Sequence, residues 1–234
     1  MTPAIKICGI CNLADANMAV EHGAKYLGFI FVKSSPRYVA PDIAQSIAEE
    51  LNHKAKLVGA FQNASEEEIN HIANSIGLDY IQLHGTESPA VCAKMSKPVI
   101  KAFQITTLNQ AAEEQPCLTL SFKNGSSNND QADSNRFLSV LNQYRPNCSH
   151  FLFDKPKNIA DAKWLDFVTT QLKPIEDQLG EYFLAGGLNA RNIKIALQKL
   201  QPAALDIASG VEQNPREKNG KLMTELFTAI ETLS

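Results

Sequence analysis

Two strand-to-loop turns late in the sequence, Gly186-Gly187 and Ser209-Gly210, place small residues where a ligand could lie against backbone N–H groups. The first follows the apolar run Tyr182 to Ala185 and precedes a helical pattern carrying Ile193, Ala196, Leu197 and Leu200, which Asn189 is placed to cap. The second breaks a strand at Ala204 to Ile207. One such turn alone reads as a tight connection, whereas two in adjacent units suggest one phosphate group held by both. Cys8 closes the alternating run Ala4 to Cys8, where a thiol could be a nucleophile, a base, a metal ligand or packing. With Cys11 it forms a C-x-x-C, but no second pair completes a zinc set. His84 and Asp154 also end short apolar runs, and Arg37 lies in the polar loop KSSPRYV. His22, His53, His71 and His150 show no ligand spacing and read as surface or helix-end residues.

The elements that must position these groups alternate. Strand patterns at residues 4–8, 25–32, 56–61, 78–83, 99–105, 150–154, 182–185 and 204–207 are each followed by a helical pattern, including one that opens at Pro41 and one capped by Ser65 with Glu68. Parallel strands joined by right-handed helical crossovers follow from that rhythm, and eight such units make a single-domain α/β fold, a (βα)8 TIM barrel spanning 1–234. Between strands five and six, residues 106–135 include the tract KNGSSNNDQADSN, too polar to pack, which reads as a mobile surface insertion with a short strand at Leu118 to Phe122. A helix resumes at Arg136, and another runs over residues 163–179 with Pro174 interrupting it.

A barrel of this kind works at the C-terminal ends of its strands. Those ends carry Cys8, Phe61, His84, Gln104, Asp154, Gly186 and Ser209, with Arg37 in the second loop. If Ile5, Ile7, Ile81, Leu83, Phe151, Phe153, Leu205 and Ile207 face the helices, then Lys6, Gln82, Lys101, Asp154 and Asp206 face the barrel axis. Buried charges must pair, so Lys6 and Lys101 are expected among Asp154 and Asp206.

Hydrophobic residues at 44%, aromatic at 7% and charged at 20% describe an ordinary globular chain. A formal net charge of −3 speaks against a general nucleic-acid or anionic-membrane surface, so any bound anion must be met by local groups. The sequence shows no signal-peptide pattern and no apolar stretch of membrane-spanning length, and its five cysteines have no framework spacing. The expected setting is the cytoplasm.

KICGI at 6–10, GFIFVKSSPRYV at 28–39, LVGAF at 57–61, DYIQLHGTES at 79–88, VIKAF at 99–103, FLFD at 151–154, LAGGLNARNI at 184–193 and DIASGVE at 206–212 together resemble the phosphoribosylanthranilate isomerase family of tryptophan biosynthesis. The match runs in order over most of the chain. The resemblance implies a (βα)8 barrel, an Amadori rearrangement of a phosphorylated small molecule, and no metal or organic cofactor. It implies Asp154 as general acid, Cys8 as general base and Arg37 facing the anthranilate carboxylate; a thiol base needs local stabilisation of its thiolate, for which Lys6 is the candidate. Gly186, Gly187, Ser209 and Gly210 would cradle the phosphate, with Gln82 and His84 as further substrate contacts. A monomer is the default expectation.

The sequence also departs from the family pattern. Ile159-Ala160-Asp161-Ala162 stands where a flexible Gly-Gly-x-Gly loop is usual, followed by Leu165-Asp166-Phe167 in place of Phe-Asp-Trp. Ala208 replaces a serine, and Pro215-Arg216-Glu217-Lys218 replaces Pro-Gly-x-Lys. Two readings follow: a working isomerase with a changed lid, or a weakened or re-purposed relative that binds a sugar phosphate or a protein partner.

Overall fold

The structure, a computed structural model, describes residues 2–107, 119–122, 130–155 and 160–232. Eight parallel strands close into a barrel in the order β1 (Ala4–Cys8), β2 (Tyr26–Ile30), β3 (Lys56–Phe61), β4 (Tyr80–Leu83), β5 (Val99–Thr107), β7 (His150–Asp154), β8 (Tyr182–Leu184) and β9 (Ala204–Ile207), with β9 returning to pair with β1. The helices packed outside are α1 (Leu13–Glu21), α2 (Pro41–Leu51), α3 (Glu66–Ile76), α4 (Pro89–Cys92), α5 (Asp130–Tyr144), α6 (Asp161–Leu172), α7 (Ile193–Lys199) and α8 (Gly220–Glu231). None of the described helices is long and apolar enough to cross a membrane.

Local chemistry sets several boundaries. Pro41 opens α2, where a missing N–H costs nothing. The Ser65 side chain caps α3 by accepting from the Glu68 N–H at 3.2 Å. Asn189 does not cap α7, which starts only at Ile193; its Oδ1 accepts instead from the Arg191 N–H at 2.9 Å in the turn before the helix. The helix expected over residues 163–179 begins earlier, at Asp161, and passes into a 3-10 segment Lys173–Gln178 where Pro174 ends regular α-bonding.

The stretch expected as an insertion is more regular than its composition suggests. β5 continues to Thr107, and β6 (Thr119–Phe122) runs parallel beside Gln104 to Thr107. Because β7 occupies one edge of β5 up to Gln104, β6 uses the other edge, beyond the point where β4 stops at Lys101. A ninth strand therefore stands on the rim of the barrel. α5 begins at Asp130, six residues before the expected start, and residues 108–118 and 123–129 lie outside the described set.

Two layers of core follow from strand alternation. The larger lies between sheet and helices. The smaller fills the barrel axis with Val58, Ile100, Ala102, Leu152, Phe183, Ala185 and Ala204. At its N-terminal end Tyr26, Tyr80, His150 and Phe183 form a ring of edge contacts at 5.3 to 6.0 Å between centroids. His150 is thus an axis residue and not a surface one.

The axis also holds the expected buried pair, with Lys6 Nζ 2.8 Å from Asp206 Oδ1 and the lysine fully buried. Lys101 corrects the other half of that expectation. In β5 it is Ile100 that stands beside Gln82 on the axis, so Lys101 points outward, where it donates to Leu83 O, Gly85 O and Glu87 Oε2 at 3.1, 2.8 and 2.8 Å. Glu87 in turn accepts from the N–H groups of Asn63 and Gly85, which fixes the loop after β4. Phe61 likewise faces outward, stacked on Phe31 at 5.1 Å, because Ala60 takes the inward position.

Candidate active site

The strand ends open into a cavity of about 440 Å³ at the C-terminal mouth of the barrel. Cys8, Arg37, Gln82, His84, Asp154, Gly186, Gly187 and Ser209 all line it, as do Gln104, Lys155, Asp206 and Ala208. Gly210 does not. A methyl group there would lie 1.9 Å from Leu188 O, so this glycine lets the last loop press against the loop before α7.

Cys8 is buried beneath the cavity, opposite Gly28, whose missing side chain leaves the space the thiol fills: a methyl on Gly28 would sit 2.8 Å from Cys8 Sγ and 3.1 Å from Lys6 Nζ. Burial pushes the Cys8 thiol up, the nearby Lys6 ammonium pulls it down, and burial prevails. Lys6 therefore only partly fulfils its expected role towards the thiol, because Asp206 already neutralises it. Burial also opposes the charge on Lys6, but Asp206 and Cys8 together hold its pKa above the ordinary value. Cys11 has separate work, its thiol turned to the carbonyls of Gly9 and Arg37 at 3.5 Å. Among the described residues no group of three or more His, Cys, Asp or Glu is placed to hold a metal ion.

On the other wall, Asp154 Oδ1 accepts from the Lys155 N–H at 2.7 Å and Oδ2 lies 3.3 Å from His84 Nε2. His84 Nδ1 is 3.2 Å from Gln82 Nε2. An amide nitrogen has only hydrogens to give, so Nδ1 accepts and the imidazole proton sits on Nε2, aimed at Asp154. Two carbonyl oxygens are left over. Gln82 Oε1 and Gln104 Oε1 are buried with no hydrogen-bond partner among the described residues. Each leaves an acceptor that a ligand donor would satisfy.

Arg37 is already engaged. Its Nε and Nη2 fork onto Glu212 at 2.6 to 2.9 Å, and that bond is the main reason its pKa is raised. Glu212 belongs to β10 (Glu212–Asn214), which pairs with β11 (Glu217–Lys218) in a small hairpin between β9 and α8. Burial works against the Glu212 carboxylate, but Arg37 and Lys218 hold it below the usual carboxylate range. Lys218 Nζ, fully buried, reaches Glu212 Oε1 at 2.8 Å, Cys8 O at 2.6 Å and Ala208 O at 3.0 Å. It ties the ends of β1 and β9 together. Arg216, at the position where the family pattern has glycine, adopts a left-handed φ of 77° and donates to Tyr38 O.

In the Gly186-Gly187 turn both φ angles are positive, at 98° and 71°, and neither N–H bonds to another described residue. The amides of Asn189 and Asn192 both donate to Gly187 O, at 3.0 and 2.9 Å, and so fix the turn. The Ser209-Gly210 turn opens a three-residue 3-10 segment, Ser209–Val211, and not a long helix. Of the altered lid stretch, Ile159 lies outside the described set, Ala160 precedes α6, and positions 161 and 162 are already helical.

A family profile described as N-(5'phosphoribosyl)anthranilate (PRA) isomerase matches residues 5–127 and 129–229. The chain belongs to this family. It is 36% identical to the N-(5'-phosphoribosyl)anthranilate isomerase of Citrifermentans bemidjiense, covering 98% of each chain. With that of Rhizobium etli it shares 31% identity, over 99% of this chain and 96% of the relative. Among solved structures, the phosphoribosyl anthranilate isomerase of Thermotoga maritima superposes with a TM-score of 0.79 at 30% identity, covering 98% of this chain and 99% of the other. A phosphoribosyl anthranilate isomerase in complex with reduced 1-(o-carboxyphenylamino)-1-deoxyribulose 5-phosphate gives 0.76 at 29% identity, with the same coverage.

Within this isomerase fold, Gln104, Glu212 and Lys218 take places that residue type alone does not mark. Gln104 was visible as a strand-end residue. Lys218 and Glu212 sit in a polar hairpin whose composition resembles solvated surface, and only the tertiary contact reveals them as buried.

Proposed function

We propose that this chain is a phosphoribosylanthranilate isomerase, converting N-(5-phosphoribosyl)anthranilate into 1-(2-carboxyphenylamino)-1-deoxyribulose 5-phosphate. The observation that carries the reading is one cavity onto which the Cys8 thiol, the Asp154–His84 pair, Arg37 and the Gly186-Gly187 turn all converge. The backbone N–H groups of that turn, with Ser209, receive the phosphate. Arg37 meets the anthranilate carboxylate with the guanidinium edge that Glu212 leaves unused. Gln82 and Gln104 accept from sugar hydroxyls.

Chemistry then needs one proton given and one taken. Asp154, with His84 behind it, donates to the furanose ring oxygen, the C1–O bond breaks and a Schiff base forms. Cys8, as thiolate, removes the proton from C2 to leave an enolamine. The enol oxygen loses its proton while C1 gains one, which yields the aminoketone. The positive charge on the Schiff base appears beside the sulfur, and so favours the thiolate at the step that uses it.

The decisive assay follows loss of substrate fluorescence with purified protein and freshly made substrate. Cys8→Ala and Asp154→Ala each lower kcat by about 10²- to 10⁴-fold. Absence of turnover by the wild type rejects the proposal.

We place the protein in the cytoplasm, a reducing setting that suits the free thiols of Cys8 and Cys11, a placement that cell fractionation checks. A monomer fits a surface on which the only exposed large hydrophobic residues, among those described, are Ile43 and Ile195. Light scattering at working concentration tests it, and a dimer mass refutes it.

A further inference from the structure

A second cavity, of about 410 Å³, opens at the opposite end of the barrel, between the chain after α4 and the chain before β7. Two cysteines line it, Cys92 at the end of α4 and Cys148 two residues before β7. Both therefore face the same space.

The backbone pins the two thiols there from both sides. Just before Cys148, Asn147 Nδ2 donates to Pro89 O at 3.3 Å, at the start of the helix that ends in Cys92. Just after it, both the N–H and the hydroxyl of Ser149 donate to Val99 O at 2.9 Å. Tyr144 OH adds a bond to Glu87 O at 3.1 Å. The two segments that carry the cysteines are thus joined on both sides of Cys148. Cys92 is buried and Cys148 half-buried, so a small reagent meets the pair through the cavity, with Lys97 at its lining.

We propose that Cys92 and Cys148 are a redox-active dithiol that a low-molecular-weight, anionic disulfide converts to an intramolecular disulfide. The Cys92 thiolate attacks one sulfur of the reagent, the reagent's S–S bond breaks, and one thiolate leaves. Cys148 then loses its proton, its sulfur attacks that of Cys92, and the second thiolate leaves. The protein gives up two electrons and two protons, and the reagent becomes two thiols.

The order of attack follows from the pair itself. A hydrogen bond from Cys148 is the main reason the Cys92 thiol is lowered, and the same bond keeps the proton on Cys148. Lys101, which neighbours both sulfurs, also favours the thiolate, while Glu87 opposes it at Cys92.

The test is a peptide map of the full-length native protein equilibrated with oxidised and reduced glutathione, then acid-quenched and alkylated. The expected result is loss of two of the five alkylatable cysteines and a dominant linked peptide joining Cys92 to Cys148. In Cys148→Ser a single glutathione remains on Cys92, because no second thiol displaces it. Glutathione adducts or linkages at other cysteines, without the 92–148 peptide in the wild type, overturn the proposal. So does a linked peptide that forms only after unfolding in urea.

Discussion

Cys8 is held between two opposing influences, burial that favours the thiol and Lys6 that favours the thiolate. Since its pKa is raised above 9.0, the rate of Cys8 alkylation is expected to climb with pH and to keep climbing past 9. Asp206→Asn removes the charge that neutralises Lys6, so the thiol pKa falls. The rate of iodoacetamide alkylation against pH reads this directly, and an unchanged midpoint contradicts it. Leaving Lys6 without its buried partner costs about 3–5 kcal/mol, visible as a lower urea midpoint. Gln104 offers the reverse trade. Gln104→Leu removes a buried acceptor that has no partner, so the free protein gains about 1–3 kcal/mol in urea unfolding while KM rises. A lower KM in that variant would count against a substrate contact.

At the scale of elements, the hairpin of β10 and β11 acts as a clasp. Through Lys218 it grips the carbonyls that end β1 and β9, the strands that carry Cys8 and Asp206. Lys218→Met strips those carbonyls and Glu212 of a buried donor, so a loss of about 3 kcal/mol is expected together with a fall in kcat as Cys8 shifts. Calorimetry and steady-state kinetics check the two halves; normal kcat in a destabilised variant would separate Lys218 from the chemistry. Little of this was legible from residue types. The alternation of strands and helices, the cap at Ser65, the helix start at Pro41, and the convergence of Cys8, His84, Asp154 and Arg37 could be read directly, because they rest on local periodicity and on the barrel rule. The facing of Lys101 could not. A parallel strand in a barrel is buried on both sides, so polarity does not mark which side is the axis; the register of Ile100 against Gln82 decides it. The short strand expected at Leu118 to Phe122 is present as β6, but its place beside β5 could not be read, since so short a pattern says nothing of its partner.

For the molecule as a whole, carboxylates held below their ordinary range set the response to acid, Glu176 among them. Glu87 and Glu212 are both depressed below their ordinary value of 4.5, burial opposing the charge and Lys101, Arg37 and Lys218 outweighing it. A depressed acid adds stability that is complete above 4.5 and disappears as pH falls through the folded-state values. Urea midpoints should therefore hold level from about pH 7 down to the ordinary carboxylate range and drop only below it. An early decline near neutrality would mean that another group governs.

The ring of Tyr26, Tyr80, His150 and Phe183 plugs the floor of the barrel, so among the described residues traffic through the site has a single door. Product must leave by the way substrate came, and the two can never share the chamber. Added product should raise the apparent KM and leave kcat untouched. A mixed pattern of inhibition would show that substrate and product can be bound at once.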